Sequence, residues 1–412
     1  MRIFFSVGEP SGDLHASNLI RHLKKRAPSI ECCGFGGPKM RDVGCQLHFE
    51  LTQFAVMYIS GVLKNLRKFF FLIGQAEYFF KHYDVDAVVL IDYSGFNWWI
   101  AKKAKAAGIP VFYYGVPQVW AWAPWRIRKI KNYVDHVLCK LPFETPWFNK
   151  RGCNATYVGH PYFDQMHTQQ YDLQAIEKYS AQRPLVVLLP GSRNSEVKLL
   201  LPLLLKSAEK IAEERPESNF AIACYSELHA TDASVAAAES KIDFEVVHGK
   251  SQELMKAADV CLACSGSVSL ELMFHRKPTV IVYKTSRLIA FLKFFLMRCN
   301  YFTLTNLIAS ESIQRTTWRT IDPDSRQGQA MLMPEYYTTS DCSDKVAARV
   351  AGWLEEPTQL QLISESLDVL ASQYAKPGAT SRAADYILNS LGAGEVENAL
   401  AASKKAAGKK AA

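Results

Sequence analysis

Short uninterrupted apolar runs, each followed by an amphipathic segment, mark the first half of the chain. Runs of this kind are typical of parallel strands that are buried on both faces of a sheet. The predicted strands are Arg2–Val7, Ala87–Ile91, Val111–Tyr114, His136–Cys139 and 155–158, and an amphipathic helix over 14–25 follows the first of them. Strands separated by helical segments predict a doubly wound sheet.

The same pattern restarts after a helical linker at 172–179. Further strands are predicted at 184–189, 220–224, 244–247, 260–263 and 279–283, with a helix over 198–214. The predicted fold class is therefore α/β, with two Rossmann-like doubly wound domains facing a cleft. We expect an N-terminal domain over 1–164, a second domain over 165–365, C-terminal helices over 366–390 that can pack back on the first domain, and a flexible Lys/Ala-rich tail over 391–412.

Composition supports a folded chain of two domains and argues against nucleic acid as a partner. The chain has 412 residues, of which 49% are hydrophobic, so each domain can bury its own core. The formal net charge is +8, but four of these charges are tail lysines: Lys404, Lys405, Lys409 and Lys410. The folded body is only mildly basic, which is too little to predict nucleic-acid binding.

Cysteine spacing and hydropathy indicate a cytoplasmic protein. The ten cysteines show neither a disulfide framework nor two pairs at zinc spacing, so buried free thiols in a reducing compartment are expected. No secretory signal is visible at the N-terminus. No uncharged apolar stretch reaches the roughly 18 residues that a membrane-spanning helix needs.

Two loops that follow strands in the first half carry candidate chemistry, because ligands of open α/β sheets bind beyond the carboxyl ends of the strands. In the loop 8–13, Ser11, Gly12 and the following N–H groups suit an anion. Asp13 is equally explained as a helix cap, whereas Glu9 is not. In the loop 91–97, Asp92 ends an apolar strand, where it is a candidate general base or, alternatively, a helix cap or an ion-pair partner.

The segment 115–122 follows another strand and is rich in tryptophan, and a basic cluster at 125–129 comes directly after it. Indole rings can cover a sugar face or an acyl chain, and basic side chains can pair with a phosphate. Basic residues among aromatics also occur in nucleic-acid sites, but a single cluster on this body is thin support for that alternative.

Two loops of the second half suit phosphate groups. The loop 189–196 places Arg193 beside a Gly-Ser turn at a helix start, which suits a diphosphate, although no Walker motif follows. The segment 264–271 combines small residues at a strand-to-helix turn with Glu271, which is placed to bond a ribose. The alternative for the second segment is a tight turn capped by Ser267. Two such loops in one half favour a nucleotide site.

Two segments have the character of interfacial helices. In 62–81, Val62, Leu66, Phe69, Ile73 and Phe80 form a core stripe, while Phe71 and Tyr78 lie among Lys64, Arg67 and Lys68. In 286–304, Phe291 and Phe294 lie near Arg287 and Arg298. Core packing explains one stripe of each segment, and contact with anionic lipid explains the second.

Taken in order, these motifs resemble the bacterial lipid-A-disaccharide synthases from Arg2 to about residue 390. The matching blocks are 8–13, 36–40, 91–97, 117–122, 141–144, 158–161, 189–193, 265–267 and 304–307. No single block is diagnostic, but their order and spacing together are specific. This chain departs from the family at Ser267, where threonine is common, and at Gly95, where many members carry an acid.

The resemblance implies a GT-B glycosyltransferase that joins UDP-2,3-diacylglucosamine to 2,3-diacylglucosamine 1-phosphate (lipid X). The products are a β-1,6 disaccharide and UDP, with inversion at the anomeric carbon and with neither cofactor nor metal required. Asp92 is the implied base, and Glu9 either orients the acceptor or replaces Asp92. The implied acceptor-side residues are Ser11, Gly12, Asp13, Asn97, Trp120 and Arg126. The implied UDP-binding residues are Gly191, Ser192, Arg193, Ser265, Gly266, Ser267, Glu271 and Asn306.

The predicted membrane contacts are Lys64, Arg67, Lys68, Phe71, Phe291 and Phe294. They imply a cytoplasmic protein that is peripheral on the inner membrane, and an oligomer is compatible with the sequence. Two alternatives stay open at this point: a UDP-sugar epimerase on the same scaffold, and a non-catalytic peripheral membrane protein. The sequence does not indicate the preferred acyl-chain length.

Overall fold

The computed structural model describes residues 1–53, 66–315 and 321–392, and the chain divides into two compact units. The first unit comprises Met1–Gln165 and the described residues from Lys376 onward, and the second comprises Met166–Ala375. The C-terminal boundary of the second unit thus falls after Ala375, whereas the sequence analysis placed it after residue 365. The reason is that one continuous helix, Pro357–Tyr374, packs against Val268–Phe274 of the second unit.

The first unit is built on a seven-stranded parallel sheet of order β3-β2-β1-β4-β5-β6-β7. Its strands are β1 (Arg2–Val7), β2 (Glu31–Gly36), β3 (Gln46–Glu50), β4 (Ala87–Ile91), β5 (Val111–Tyr114), β6 (His136–Cys139) and β7 (Ala155–Tyr157). The strand order reverses between β1 and β4, where Val7 lies opposite Ile91. Open α/β sheets bind their ligands at such a reversal.

The helices of the first unit are α1 (Pro10–Arg26), α2 (Pro38–Asp42), α3 (Leu66–His82), α4 (Ser94–Ala106), α5 (Ile127–Tyr133), α6 (Glu144–Asn149), α7 (Pro161–Thr168), which spans the division, and α17 (Ala379–Ser390). Helix α1 begins at Pro10, four residues before the predicted start, because proline is favoured in the first turn. Most of the 8–13 loop is therefore the first turn of α1.

The second unit contains a six-stranded parallel sheet of order β10-β9-β8-β11-β12-β13, which reverses between β8 and β11. Its strands are β8 (Leu185–Leu189), β9 (Asn219–Cys224), β10 (Glu245–His248), β11 (Val260–Cys264), β12 (Thr279–Lys284) and β13 (Glu335–Thr338). Its helices are α8 (Leu173–Ser180), α9 (Asn194–Glu214), α10 (Glu227–Ala238), α11 (Ser251–Ala257), α12 (Val268–Phe274), α13 (Arg287–Leu296), α14 (Leu304–Ala309), α15 (Ser343–Glu355) and α16 (Pro357–Tyr374).

Each unit has its own buried core. In the first, Leu19 and Leu23 of α1 pack with Val89 of β4 and with Ile387 of α17. In the second, α9 and α15 cover β8 and its neighbours. The predicted α/β class with two doubly wound sheets is confirmed.

All ten cysteines are free thiols in the structure, and seven of them are buried. Within the described ranges, no helix is both long enough and apolar enough to cross a bilayer.

Candidate active site

Two acidic loops meet where the first sheet reverses. Asp92 directly follows β4, and the Glu9–Gly12 turn directly follows β1, its hydrogen-bonded neighbour. A Cβ atom on Gly12 would lie 3.5 Å from Oδ2 of Asp92, so the Asp92 carboxylate faces the first turn of α1 at Gly12. Two motifs far apart in sequence thus form one surface.

The backbone at Asp92 is held in an unfavourable conformation. Asp92 and Tyr93 have φ angles of 46° and 38°, in the left-handed region that non-glycine residues rarely adopt. The carbonyl oxygen of Asp92 accepts hydrogen bonds from Tyr113 Oη at 2.7 Å and from Asn97 Nδ2 at 2.9 Å. These two bonds fix the direction in which the Asp92 side chain leaves the strand.

Asn97 is therefore not placed to bind an acceptor, contrary to the sequence-based prediction. Its side chain is fully buried, its amide also lies 3.2 Å from the carbonyl oxygens of Ser6 and Ile91, and Ser6 Oγ donates to its Oδ1 at 2.7 Å. Every polar atom of the side chain is used inside the protein. Asn97 positions Asp92 instead.

The carboxylate of Asp92 pairs with Lys140, which follows β6. Lys140 Nζ lies 3.3 Å from Asp92 Oδ1, and each side chain is 21% exposed. Gly115, with φ +73°, leaves room for the pair, because a Cβ there would lie 2.8 Å from Nζ and 3.0 Å from Oδ1. Asp92 thus has the ion-pair partner that was one alternative for it, and it also faces the loop surface.

A buried carboxylate fixes the turn that carries Lys140. Glu144 accepts the backbone N–H groups of Lys140 and Leu141 at 3.0 Å each, and Trp120 Nε1 donates to its other oxygen at 3.0 Å. Burial raises the pKa of Glu144, and these hydrogen bonds oppose that rise. Trp120 is only 3% exposed, so the predicted acceptor contact is wrong for this residue.

Asp13 is likewise a structural residue. It accepts N–H groups from Gly37 and Met40 at 3.1 Å and from Lys39 at 3.0 Å, and it is 3% exposed. It therefore caps α2 and neither caps its own helix nor reaches an acceptor. A carboxylate at an N-terminus is favoured by the unsatisfied N–H groups there.

Glu9, Ser11 and Arg126 lie at the surface, as an acceptor site requires. Burial raises the pKa of Tyr93, and the negative charge of Glu9 adds to that rise. Burial and the charges of Asp92 and Glu9 also raise the pKa of Tyr113, so both carboxylates act on the same neighbourhood. Gly8 packs flat against the Tyr93 ring, since a Cβ there would lie 2.2 Å from a ring carbon.

Three basic side chains that the sequence analysis did not assign to the site lie in this neighbourhood: His15, Lys140 and His160. Burial and the charge of Lys140 lower the pKa of His15 to about 4, and burial, Lys140 and His15 hold that of His160 well below its usual value. Both imidazoles are therefore neutral near pH 7. The signal for Lys140 was present, because it occupies the same position after β6 that Asp92 occupies after β4.

The predicted UDP loops also meet, at the reversal of the second sheet. Leu189 of β8 lies opposite Ala263 of β11. Gly191 has φ +125°, and a Cβ there would lie 2.9 Å from Glu196 and 3.5 Å from Cys264 Sγ. Only glycine fits this approach.

Arg193 sits at the N-terminus of α9 with most of its side chain exposed. Its Nη1 lies 2.7 Å from Glu196 Oε1, and the Arg193 side chain is 79% exposed, so the guanidinium can meet a diphosphate. Ser192 is also exposed. A guanidinium at the start of a helix presents several charged N–H donors, which suits binding of phosphate oxygens.

The second loop carries Ser265, Gly266 and Ser267 into α12. Gly266 and Ser267 are exposed, and within the described residues the Ser267 hydroxyl makes no capping bond, so the capped-turn alternative is wrong. Glu271 is hydrogen-bonded by Gln252 Nε2, and Gln252 Oε1 lies 2.9 Å from His275 Nε2. This pairing, which sequence reasoning missed, orients the Glu271 carboxylate.

Asn306 does not belong to the UDP surface. It is 3% exposed, donates to Met333 O at 2.6 Å and to Glu335 Oε1 at 2.8 Å, and accepts from Met333 N at 3.1 Å. Its neighbour Thr305 donates to Ser269 O at 2.8 Å. The 304–307 block therefore supports α12 through the hydrogen bond from Thr305 to Ser269.

Of the predicted membrane contacts, Arg67, Lys68, Phe71 and Phe291 are exposed. Lys64 and the side chain of Phe294 lie outside the described residues. Phe70 and Trp99, which the sequence analysis did not single out, add an exposed ring pair at 6.3 Å. Across the described parts of the chain, no group of three or more His, Cys, Asp or Glu side chains could hold a metal ion.

Comparison with solved structures defines the fold class. The chain matches a Staphylococcus aureus MnaA-UDP co-structure at TM-score 0.60 and 10% identity, covering 95% of this chain and 96% of that one. It matches MurG of Acinetobacter baumannii at TM-score 0.57 and 13% identity, covering 94% and 99%. The fold is thus that of GT-B glycosyltransferases and related UDP-sugar epimerases. At these identities the likeness shows the fold alone.

The family follows from sequence. Residues 3–333 match the lipid-A-disaccharide synthetase model. Lipid-A-disaccharide synthase of Nitrosococcus oceani is 35% identical, covering 74% of this chain and 80% of the relative, and that of Geobacter sulfurreducens is 30% identical, covering 95% and 97%. The chain belongs to the lipid-A-disaccharide synthase family and is a hexosyltransferase of lipid A biosynthesis. The epimerases share only its fold.

Proposed function

We propose that the protein joins UDP-2,3-diacylglucosamine to lipid X, with the acceptor bound by the first unit and the UDP-sugar by the second. The observation that carries this proposal is Asp92, a carboxylate at the strand-order reversal that is held by its backbone and paired with Lys140. Glu9, Ser11, Gly12 and Arg126 remain the acceptor-side residues of the proposal.

The proposed step is a direct displacement with inversion. The acceptor's 6-hydroxyl gives its proton to the Asp92 carboxylate as the oxygen forms a bond to the donor's anomeric carbon. The bond from that carbon to the UDP oxygen breaks on the opposite side, and its electron pair leaves with UDP. A positioned base of this kind contributes about 10²–10⁴-fold to rate. Glu9 is the second candidate for the base.

On the donor side, the charge that develops on UDP is stabilised by Arg193 and by the N–H groups of the two loops. Gly191 and Gly266 let the backbone approach the phosphates, with Ser192, Ser265 and Ser267 beside them. Glu271, oriented by Gln252, binds the ribose hydroxyls. Preorganised donors aimed at developing charge are a large term in enzyme catalysis.

We further propose peripheral binding to the cytoplasmic face of the inner membrane. Phe71 and Phe291 are each 61% exposed, and Arg67 and Lys68 lie within one helical turn of Phe71. Exposed rings among basic side chains suit an anionic lipid surface. Such contact would bring both acylated substrates to the protein.

The test incubates the protein with both acylated glucosamine substrates in detergent micelles and follows UDP release and disaccharide formation. The proposal expects one UDP for each disaccharide. UDP release without disaccharide, or neither product in micelles that support a known relative, would contradict it.

A further inference from the structure

A pocket of about 490 Å³ lies in the first unit, between α3 and the edge of the sheet. Phe4 of β1 and Phe35 of β2 form its buried floor, His48 of β3 lies beside them, and Phe79 of α3 forms part of the wall. The volume falls within the roughly 300–1,000 Å³ of small-molecule sites. None of the residues assigned above to either substrate lines this pocket.

The lining excludes charged ligand groups. His48 contacts the Phe79 ring at 4.7 Å between centroids, and desolvation lowers its pKa, so it is neutral near pH 7. Of the described residues that line the pocket, none carries a charge at that pH. A phosphate or diphosphate would find no counter-charge there, whereas an apolar chain would lose only its contact with water.

The surroundings indicate an apolar chain attached to a polar group. Phe71 and Tyr78, two of the lining residues, are 61% and 59% exposed, so the pocket opens to the surface through aromatic rings. Lys68, one turn before Phe71, places its Nζ 5.0 Å from the Phe49 ring. The apolar walls match a fatty acyl chain, and Lys68 offers a positive charge near the opening for an anionic head group.

A continuous aromatic path joins the pocket to the Asp92 loop. The Phe35 ring lies 6.1 Å from that of Phe96, and Phe96 lies 6.2 Å from Tyr93, the residue after Asp92. Both Phe35 and Phe96 are buried. The rings of Phe35, Phe96 and Tyr93 therefore connect the pocket with the proposed acceptor site.

We propose that this pocket holds one fatty acyl chain of the acceptor, an inference that rests on the proposed function. The pocket then fixes which acylated sugar binds beside Asp92, and its depth sets the preferred chain length. Because Phe4 and Phe35 are buried core residues, the floor of the pocket is rigid and limits the length of the chain that fits.

Gly74 provides the test, because it lines the pocket and a Cβ there would meet no atom within 4 Å. Gly74→Phe fills the pocket, while Gly74→Ala adds one methyl group, and both replace a helical glycine by a better helix former. Gly352→Phe, on α15 in the second unit, is the matched control, since its surroundings are also open.

The measurement is KM for lipid X and for a short-chain diacyl analogue below its micelle concentration. Gly74→Phe should raise KM for lipid X at least about tenfold, the loss expected when two buried methylenes return to water. It should leave KM for the analogue and kcat within about twofold. If KM for lipid X is the same in Gly74→Phe and in Gly352→Phe, the proposal that the pocket holds an acyl chain is wrong. An equal rise for both acceptors would overturn it too, because the substitution would then act on the sugar site.

A second measurement separates the pocket from the proposed function. A fluorescent long-chain fatty acid should bind the wild type, and Gly74→Phe should weaken binding at least about tenfold. If the wild type forms no disaccharide but shows this difference, the proposed function fails and the acyl pocket stands. If the wild type is active but the probe binds both forms equally, the pocket proposal fails alone.

Discussion

The ammonium of Lys140 lies 3.3 Å from the carboxylate of Asp92, at a point where both side chains are mostly buried. The two residues come from turns after β4 and β6 and are held there independently. Tyr113 and Asn97 fix the Asp92 backbone, and Glu144 fixes the turn of Lys140. The surrounding structure therefore holds both residues in place, and their ion pair is not an incidental surface contact.

Lys140→Met should lower kcat at least about tenfold, because the carboxylate loses the charge that orients it. It should also lower stability, because the mostly buried Asp92 carboxylate loses its ion-pair partner. Steady-state kinetics and urea unfolding measure the two effects. Lys105→Met, which breaks the Lys105–Asp135 pair of the same unit, is the control and should leave kcat unchanged. Equal effects of the two substitutions on kcat would contradict the role of Lys140.

Arg193→Ala should raise KM for the UDP-sugar about 10–100-fold, because a charged hydrogen bond is worth about 1.5–3 kcal/mol. Its exposed side chain has few contacts to lose, so stability should change little. Glu196→Gln is the control variant. It removes the carboxylate charge that competes with the UDP phosphates for the Arg193 guanidinium, so it should not weaken binding of the UDP-sugar. An unchanged KM in Arg193→Ala would remove Arg193 from the donor site.

Asn306→Ala should lower stability and leave KM for the UDP-sugar almost unchanged, which is the opposite of the result expected for Arg193→Ala. It removes one partner of Glu335, which still accepts the backbone N–H groups of Phe302 and Thr303, and it leaves the N–H and C=O groups of Met333 without their Asn306 partner, at a cost of about 1–3 kcal/mol for each unsatisfied group. Urea unfolding should show the loss, while KM of the folded enzyme for the UDP-sugar stays within about twofold of wild type. A large rise in KM with normal stability would restore Asn306 to the UDP site.

His15 predicts a loss of stability in acid. Its pKa is about 4 in the folded protein against 6.5 unfolded, so the unfolded chain binds a proton between these values that the folded one does not. Stability is therefore fully present above about pH 6.5 and falls as the pH drops towards 4, by up to about 3 kcal/mol from this residue. His15→Gln should show a smaller difference between urea unfolding at pH 7 and at pH 4.5. Equal differences would contradict the assignment.

Sequence reasoning succeeded where one physical rule acts locally. Ala87–Ile91 is predicted as a strand because both faces of a parallel sheet are buried, and the loop after it is predicted as a site because strand ends meet at one edge. The strand bounds and the placement of Asp92 follow from these rules. Strands β2, β3 and β13 are absent from the predicted set, since none of them has a long continuous apolar run.

The errors among site residues share one cause. Asp13, Trp120 and Asn306 stand in short motifs after strands or at helix starts, and such motifs look alike whether their side chains face a ligand or the core. What distinguishes them is a partner that is distant in sequence, such as Glu144 for Trp120 or the Met333 backbone for Asn306. Periodicity and spacing carry no information about such pairs.

Asp92→Asn tests the central claim most directly, because it keeps the shape of the side chain and removes its ability to accept a proton. With both acylated substrates in micelles, kcat should fall at least about 10²-fold while KM for each substrate stays within a few-fold. Glu9→Gln, assayed alongside, should cost less. Near-normal turnover in Asp92→Asn with a collapse in Glu9→Gln would move the base to Glu9, and near-normal turnover in both would contradict a carboxylate base in this loop surface.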